Sequence, residues 1–472
     1  MILDIEKQRD GLNLSYFDKD GNKLIKKFPN PQPQTWSVCQ DTDPKASDIY
    51  KNWDGKSVKR TACPKGQMNK FDIYEFIENL EPEDKDVITA VNFPKMSSVD
   101  IETEVIDGFP DVKVAKERIT TIAITTDDFK CLVIGWKPLT SAQQTKIQVD
   151  IDHHFNDLGV TFEFKYMAFE TEFDMLYTFF SKILPKCALV TGWNWFRFDW
   201  AYLLKRSRNL GIDPAIASPV NKLSWNDETP IHVGMIDYME VYKKYDRTVV
   251  PKENHGLDAA GKQVLGISKV KYNGSLQQLY EQDYDKYVFY NAIDAGLVTL
   301  IHRKLKTVNT ILSVAALNNL SIYKSGSAVN LTEALMFKEN YEKNLVIADD
   351  FKEHPQGNYE GAYVKQPKPG LYNAVACFDF ASLYPSIMRQ FNISADTYIE
   401  KIDINDEEKK AERRKDTSVI VTNTGAVFKN ESDSILKLVL TRLYGERKKF
   451  KKRHLFLEIE LVKLKDQLKQ TN

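Results

Sequence analysis

Four carboxylates, Asp100, Glu102, Asp199 and Asp294, fall inside or beside strongly apolar runs, and a chain that buries such runs must bring the acids together or leave each one stranded. Asp100 and Glu102 flank Ile101 in the strand-like run SSVDIETEV. Side chains alternate across a strand, so the two acids share one face and Ile101 takes the other. Further along, in TGWNWFRFDWAYL, Asp199 follows Phe198 and opens a helical pattern, which predicts a third carboxylate near a helix start. In YNAIDAGLV, Tyr290 and Asp294 stand four apart and share a helix face. Carboxylates packed closely repel and raise one another's pKa values, so a converged set requires cations. Two divalent ions, Mg²⁺ or Mn²⁺, roughly 3.5–4 Å apart, suit such a set and the cleavage of a phosphodiester. A lone D-x-E is by contrast most often a solvated polar face.

The elements around these acids set the fold class. From Ile88 to Trp136 the runs VITAVNF, SSVDIETEV, ITTIAITT and KCLVIGW predict adjacent strands of a half-buried sheet. Helical patterns follow at FETEFDMLYTFFSKIL and FDWAYLLKRS, with the apolar run ALVTGWNWF between them. This alternation predicts an α/β layer domain ending near Leu305. Residues 1–95 alternate short strands with polar turns and then read as helix around FDIYEFIENL, a small mixed domain. Residues 306–350 read as mostly helical and lead to the loop-like NYEGAYVKQPKPGLYN; AVACFDF then reads as a buried strand. The mixed-charge run NDEEKKAERRKD (405–416) reads as a solvated helix or loop. From 433 to 469 leucines and other apolar residues step by three and four, which predicts one long helix.

At 472 residues the chain exceeds what one hydrophobic core serves, so it is multidomain. Hydrophobic residues at 42% and charged residues at 28% exclude a disordered chain, and no apolar stretch is long enough to span a membrane. The start MILDIEKQRD lacks the layout of a secretory signal, so a cytoplasmic, non-secreted protein is expected. Five scattered cysteines form no CxxC pair and read as reduced thiols. Net charge, at −1, says nothing for nucleic acid, but residues 441–472 hold ten Lys/Arg against four acids.

D-I-E, then G-W-N-x-x-x-F-D-x-x-Y, then Y-N-x-x-D, in this order, resembles the three proofreading motifs of family B DNA polymerases. The resemblance implies an RNase H-like 3′→5′ exonuclease domain with metal binding at Asp100, Glu102, Asp199 and Asp294, and Tyr290 orienting the attacking water. Asn194 and Phe198 match positions beside the single-stranded 3′ end. KVKYNGSLQQLY resembles the stretch before the third motif, with Lys269 at an active-site lysine position.

CFDFASLYPSIMRQFNIS (377–394) resembles motif A of the same family, with a likeness to the T-even phage enzymes that continues through R-Q-x-N-I-S. It implies that Asp379 ligates the catalytic metals, that Phe380 offers a backbone carbonyl, that Ala381 and Ser382 meet the incoming triphosphate, and that Tyr384 stacks under the sugar. Tyr359-Glu360-Gly361-Ala362 resembles the YxGG/A element that follows the template, placing Tyr359 and Gly361 at DNA. ERKKFKK resembles the first fingers helix, with Arg447 and Lys451 on one helix face gripping the triphosphate.

The fold class expected is α/β plus α+β, multidomain: an N-terminal domain (1–95), the exonuclease domain (96–305), a helical segment and linker returning toward the N-terminal domain (306–365), a partial palm with motif A (366–432) and the first fingers helix (433–472). Neither K-x-x-x-N-S-x-Y-G nor a D-T-D hairpin follows before Asn472. Asp41-Thr42-Asp43 reads as a loop, Asp4-Ile5-Glu6 as a D-x-E without companions, and Asp152-His153-His154 as a surface turn. A palm holding motif A alone leaves an edge and an apolar face open, so a second polypeptide carrying the remaining fingers, palm and thumb is expected. The resemblance further implies primer-template DNA, single-stranded 3′ ends and dNTPs as substrates, a sliding clamp reached through that second polypeptide, and the cytoplasm of an infected host cell. The alternatives are a stand-alone DNA exonuclease or RNase H-like nuclease, and a non-catalytic nucleic-acid-binding fragment.

Overall fold

The computed structural model describes residues 1–8, 11–29, 34–62, 70–106, 108–225, 228–245, 254–324, 326–347 and 363–471. The chain divides into two compact units, Met1–Gln32 with Ile77–Leu331, and Pro33–Phe76 with Thr332–Asn472.

The first unit opens with an antiparallel sheet of Ile2–Gln8, Gly11–Phe17 and Lys23–Pro29. Its main feature is a mixed six-stranded sheet in the order Glu163–Ala168, Lys130–Gly135, Ile119–Thr126, Met96–Thr103, Leu189–Gly192, Gly234–Asp237. Met96–Thr103, Ile119–Thr126 and Lys130–Gly135 form an antiparallel meander, and the other neighbours are parallel. Strand alternation splits the apolar residues between two cores. Ala123, Val133 and Leu189 pack under the helices Ser141–His154 and Tyr284–Leu305. Val99, Ile101, Ile124 and Val190 face Phe179, Phe180 and the helix Asp199–Asn209.

The helix Tyr284–Leu305 is buried at every residue from Tyr287 to His302 except Tyr290. Its sequence is apolar nearly all round, which is why it runs through the interior rather than along a surface. The Asp283 side chain accepts from the Lys286 amide at its start. Ser141–His154 begins with a capping box between Thr140 and Gln143.

Three local expectations are corrected. VITAVNF is no strand: Pro82–Thr89 is a helix, launched by Pro82 in its first turn with Glu83 and Asp84 favouring its positive end, and the β-branched residues do not override these signals. Asp152-His153-His154 is the last turn of a helix, with His154 Nε2 3.0 Å from the Ser268 carbonyl oxygen, rather than a surface turn. AVACFDF is neither strand nor buried; Val375, Phe378 and Phe380 are 78, 93 and 75% exposed. Among the described residues no strand pairs with this run, and an apolar strand without a neighbouring ladder or a covering layer has nothing to bury it.

In the second unit, Leu345–Val346, Ala46–Asn52, Ser57–Ala62 and Gln34–Val38 form one sheet in that order, over a small core of Trp36, Val58 and Val346. Asp41 and Asp43 lie in the turn between its strands Gln34–Val38 and Ala46–Asn52, bound to Ser57 and Lys59. Tyr398–Lys401, Ala426–Lys429 and Val419–Val421 form a second, antiparallel sheet. The helix Leu383–Gln390 packs on the long helix Ile435–Thr471. Asn392 Oδ1 accepts from the Ser434 amide at 2.8 Å and Asp396 Oδ2 from the Ile435 amide at 3.1 Å, which fixes where the long helix begins. The mixed-charge run does form a short helix, Glu407–Arg413, but Lys410 is buried within it and donates to the Ile404 and Asn423 carbonyls. Among the described residues no helix is long and apolar enough to cross a membrane.

Candidate active site

The sheet and the buried helix bring the separated acids to one place. Asp100 and Glu102 point from the Met96–Thr103 strand toward the Tyr284–Leu305 helix, which carries Asp294. One ligand oxygen from each of these three side chains lies within 4.8 Å of the others, the sole such trio among the described residues. Asp199 stands outside the trio but lines the same cleft of about 620 Å³. Its Oδ1 accepts the Ile101 amide at 3.1 Å, tying the start of the Asp199–Asn209 helix to the strand between the first two acids.

The turn that delivers Asp199 explains the spelling G-W-N. A Cβ on Gly192 would stand 2.7 Å from the Val99 carbonyl oxygen, so only glycine lets the strand end this close to its neighbour. Asn194 then adopts φ +67°, a left-handed conformation that asparagine tolerates better than most residues. Asn194 and Phe198 both line the cleft, and the exposed Phe109 ring lies 5.1 Å from that of Phe198.

All four carboxyls are held above the ordinary range. Burial and then Asp294 push Asp100 up to about 7. Burial is also the largest cause at Glu102, where Asp100 and Asp294 add to it, at Asp199, where Asp100 adds to it, and at Asp294. Lys269 answers them most closely: its Nζ is ion-paired with Asp294 Oδ2 and sits 5.1 Å from the centre of the Tyr290 ring. Burial pulls Lys269 down, but the carboxylates of Asp294 and Asp100 outweigh it and keep the ammonium charged. Burial, with Asp294 next, holds the Tyr290 phenol well above its usual value, so it stays protonated. The cleft therefore offers hard oxygen ligands, an excess of negative charge and a buried Asp294 Oδ1 with no hydrogen-bond partner. These features fit a divalent cation.

Asn291, beside Tyr290 in YNAID, escaped the sequence reading although its position in that motif could have marked it. Its Nδ2 donates to Asp100 Oδ2 at 2.8 Å. Phe109 and Arg197 also line the cleft, and neither carries a sequence signal of its own.

The polymerase-like residues make no comparable cluster. Asp379 is exposed and belongs to no trio of metal-capable side chains among the described residues. Phe380 and Ala381 precede the helix Leu383–Gln390, Ser382 stands at its N-cap position at φ +54° without a side-chain capping bond, and Tyr384 is exposed on its first turn. Arg447 and Lys451 lie exposed, four apart on the Ile435–Thr471 helix. Tyr359 and Gly361 lie outside the described residues.

The profile of DNA polymerase family B matches residues 319–462, which include Asp379, Tyr384, Arg447 and Lys451. That of DNA polymerase family B, exonuclease domain, matches residues 59–247, which include Asp100, Glu102 and Asp199. The chain belongs to DNA polymerase family B. Its mixed six-stranded sheet is accordingly of the RNase H-like type found in family B exonuclease domains. The DNA-directed DNA polymerase of Escherichia phage RB69 is 25% identical, over 95% of this chain and 53% of that protein. That of Enterobacteria phage T4 is 29% identical over 49% of this chain and 27% of its own length. The DNA polymerase catalytic subunit of Elephantid herpesvirus 1 is 28% identical over 55% and 26%. The chain thus spans about half the length of the RB69 relative and matches a smaller share of the other two. Lys269, Tyr290 and Asp294 lie beyond the matched exonuclease segment; it is the geometry that sets them in the cleft with Asp100 and Glu102.

Proposed function

We propose that the acidic cleft removes nucleotides from single-stranded 3′ ends of DNA, as the proofreading exonuclease of a viral replicative polymerase. The observation that carries this is the convergence of Asp100, Glu102 and Asp294 within 4.8 Å, with Asp199 bound to the strand between the first two. Asp100, Glu102, Asp199 and Asp294 would hold two Mg²⁺ or Mn²⁺ ions, which supply charge neutralisation at the phosphate and acidify a bound water. Tyr290, protonated and at the cleft wall, orients the attacking water; Lys269 keeps Asp294 in place and faces the developing negative charge. Asn194, Phe198 and Phe109 border the path of the single strand, where aromatic faces stack on bases regardless of sequence. Water oxygen bonds to phosphorus, the bond to the 3′ oxygen of the penultimate nucleotide breaks, and a nucleoside 5′-monophosphate leaves. A strand labelled at its 5′ end tests this: a ladder shortening from the 3′ end in Mg²⁺ and absent in chelator supports it, and an unchanged strand refutes it.

For the rest of the chain we propose part of a template-directed nucleotidyl-transfer site acting on primer-template DNA. Asp379 would ligate metals, Phe380 would offer its carbonyl, Ala381, Ser382, Arg447 and Lys451 would meet the dNTP phosphates, and Tyr384 would pack under the sugar. Tyr359 and Gly361 would follow the template. Support comes from the match over 319–462. The exposed Phe378, Phe380 and Tyr384 favour coverage by further palm and fingers sequence, in the same polypeptide or a second one that also reaches a sliding clamp. The domain limits 1–95, 96–305, 306–365, 366–432 and 433–472 and an infected host's cytoplasm belong to this reading. Primer extension that appears only when the complementary polymerase segment is supplied supports it; a segment that binds yet never restores extension counts against it.

A further inference from the structure

A second cleft of the first unit carries the opposite charge. It lies beside Ser97 and Thr126, which pair at the start of the Met96–Thr103 strand, whereas the acids lie toward its end. It is also on the other face of the sheet, against Ile124 and Leu132. The cavity is about 680 Å³. Five lysines border it, Lys23, Lys95, Lys130, Lys182 and Lys186, against one carboxylate, Asp128. Asp128 is already bound to Lys130 at 3.1 Å and to Thr126. The whole chain carries a net charge of −1, so this excess of cations is local.

Lys23 sits deepest. Its ammonium donates to the Pro185 carbonyl at 2.8 Å and, among the described residues, forms no ion pair with a carboxylate. Burial lowers its pKa to about 8, the mark of a cation held in low dielectric without a counterion. The backbone keeps it there. Gly21, at φ +76°, closes the turn before Lys23 so tightly that a Cβ would stand 2.5 Å from the Phe93 carbonyl oxygen. The Lys95 amide donates to the Gly21 carbonyl at 3.1 Å, which sets Lys95 beside the same turn. Lys182 and Lys186 are exposed at either end of the segment whose Pro185 receives Lys23. Ile124, Leu132 and Ile183 add an apolar wall, and Ser97 and Thr126 add hydroxyls.

We propose that this cleft binds the phosphate groups of a nucleotide, free or as a unit of a single strand, with Lys23 as the inner cation, Lys182 and Lys186 as outer ones, and the Leu132–Ile183 wall taking the base. Clustered ammoniums beside an apolar surface match a ligand that is anionic at one end and flat and apolar at the other. The site stands apart from the acidic cleft and shares no lining residue with it.

The test compares the full chain with a Lys182→Glu/Lys186→Glu variant, a Lys23→Met variant, and a Lys56→Glu/Lys205→Glu control that makes the same change in net charge elsewhere. Each is titrated in chelator with ATP and with fluorescent oligothymidylate about 12 nucleotides long. If the ligand is a strand, Lys182→Glu/Lys186→Glu weakens the oligonucleotide about tenfold at low salt relative to the control, and the slope of log K against log salt becomes shallower by about 1.4, as for two lost phosphate contacts. If it is a free nucleotide, ATP binding falls by a similar factor and the oligonucleotide is unchanged. Lys23→Met weakens the same ligand; should it not fold, the exposed pair decides. Equal binding of both probes by the parent, the Lys182/Lys186 variant and the control overturns the proposal, as does a parent that binds neither.

Discussion

Asn291 reaches from the buried helix to the sheet and donates its side-chain amide to both the Asp100 carboxylate, at 2.8 Å, and the Asp100 carbonyl, at 3.3 Å. It is the one neutral donor to this acid among the described residues, so it orients the carboxylate and eases its ionisation. Asn291→Ala is predicted to reduce Mg²⁺-dependent hydrolysis about 10–100-fold and to destabilise the fold by about 1–3 kcal/mol. Asn291→Asp adds a fifth carboxylate and should be worse on both counts. Nuclease rates and melting curves check this; an Asn291→Ala variant with parental rate would remove Asn291 from the site.

Glu102 shows that the cleft trades stability for chemistry. Its carboxyl is raised by burial and by Asp100 and Asp294, and Lys269 is ion-paired with Asp294 rather than with it. Glu102→Gln is predicted to raise the melting temperature of the metal-free protein at pH 8 by about 1 °C, what about 1 kcal/mol gives in a chain of this size, while hydrolysis is lost. A variant destabilised in chelator would show that the ionised Glu102 is a net contributor to the fold.

The pH dependence has a definite sign. The Asp100 carboxyl sits at about 7 when folded and at its usual 3.8 when unfolded, so the folded chain holds the proton more tightly between these values. Stability of the metal-free protein therefore falls as pH rises from about 4 to about 7, and this contribution is level above that. Differential scanning calorimetry in chelator should show a steeper fall for the parent than for Asp100→Asn. Mg²⁺ should stabilise more at pH 8 than at pH 5, its whole effect at pH 8 reaching about 2.7 kcal/mol at a hundredfold excess over its dissociation constant there. Equal pH slopes for parent and variant would contradict this.

Gly192→Ala places a methyl group 2.7 Å from the Val99 carbonyl oxygen and 2.8 Å from the Trp195 ring. Because the strand and the turn through Asn194 must separate to admit it, a loss of about 1–3 kcal/mol is predicted, together with a lower hydrolysis rate as Asp199 moves away from the Ile101 amide. Chemical denaturation and nuclease rates measure the two effects; unchanged values for both would mean the turn is soft.

The acids were legible in the sequence because their chemistry is local: D-x-E on a strand, an acid opening a helix, and Tyr290 four residues before Asp294 all follow from backbone periodicity. The α/β alternation from 96 to 305 was legible for the same reason. What escaped depends on neighbours distant in the chain. AVACFDF has strand composition, yet burial is a property of what covers it. VITAVNF has β-branched residues, yet Pro82 and the acids after it start a helix. Asn291 looked like one more polar residue until the helix carrying it lay against Asp100, and the lysine-rich cleft draws its cations from segments as far apart as Lys23 and Lys186.

The most direct test of the account is the release of nucleoside 5′-monophosphates from a single-stranded oligonucleotide by the parent and by Asp100→Ala and Asp294→Ala variants, with Mg²⁺ and with chelator. The acidic cleft predicts release from the 3′ end in Mg²⁺ alone, lowered on the order of 10³-fold by either substitution while strand binding persists. A parent that binds the strand in Mg²⁺ without shortening it, or variants as active as the parent, would contradict the assignment.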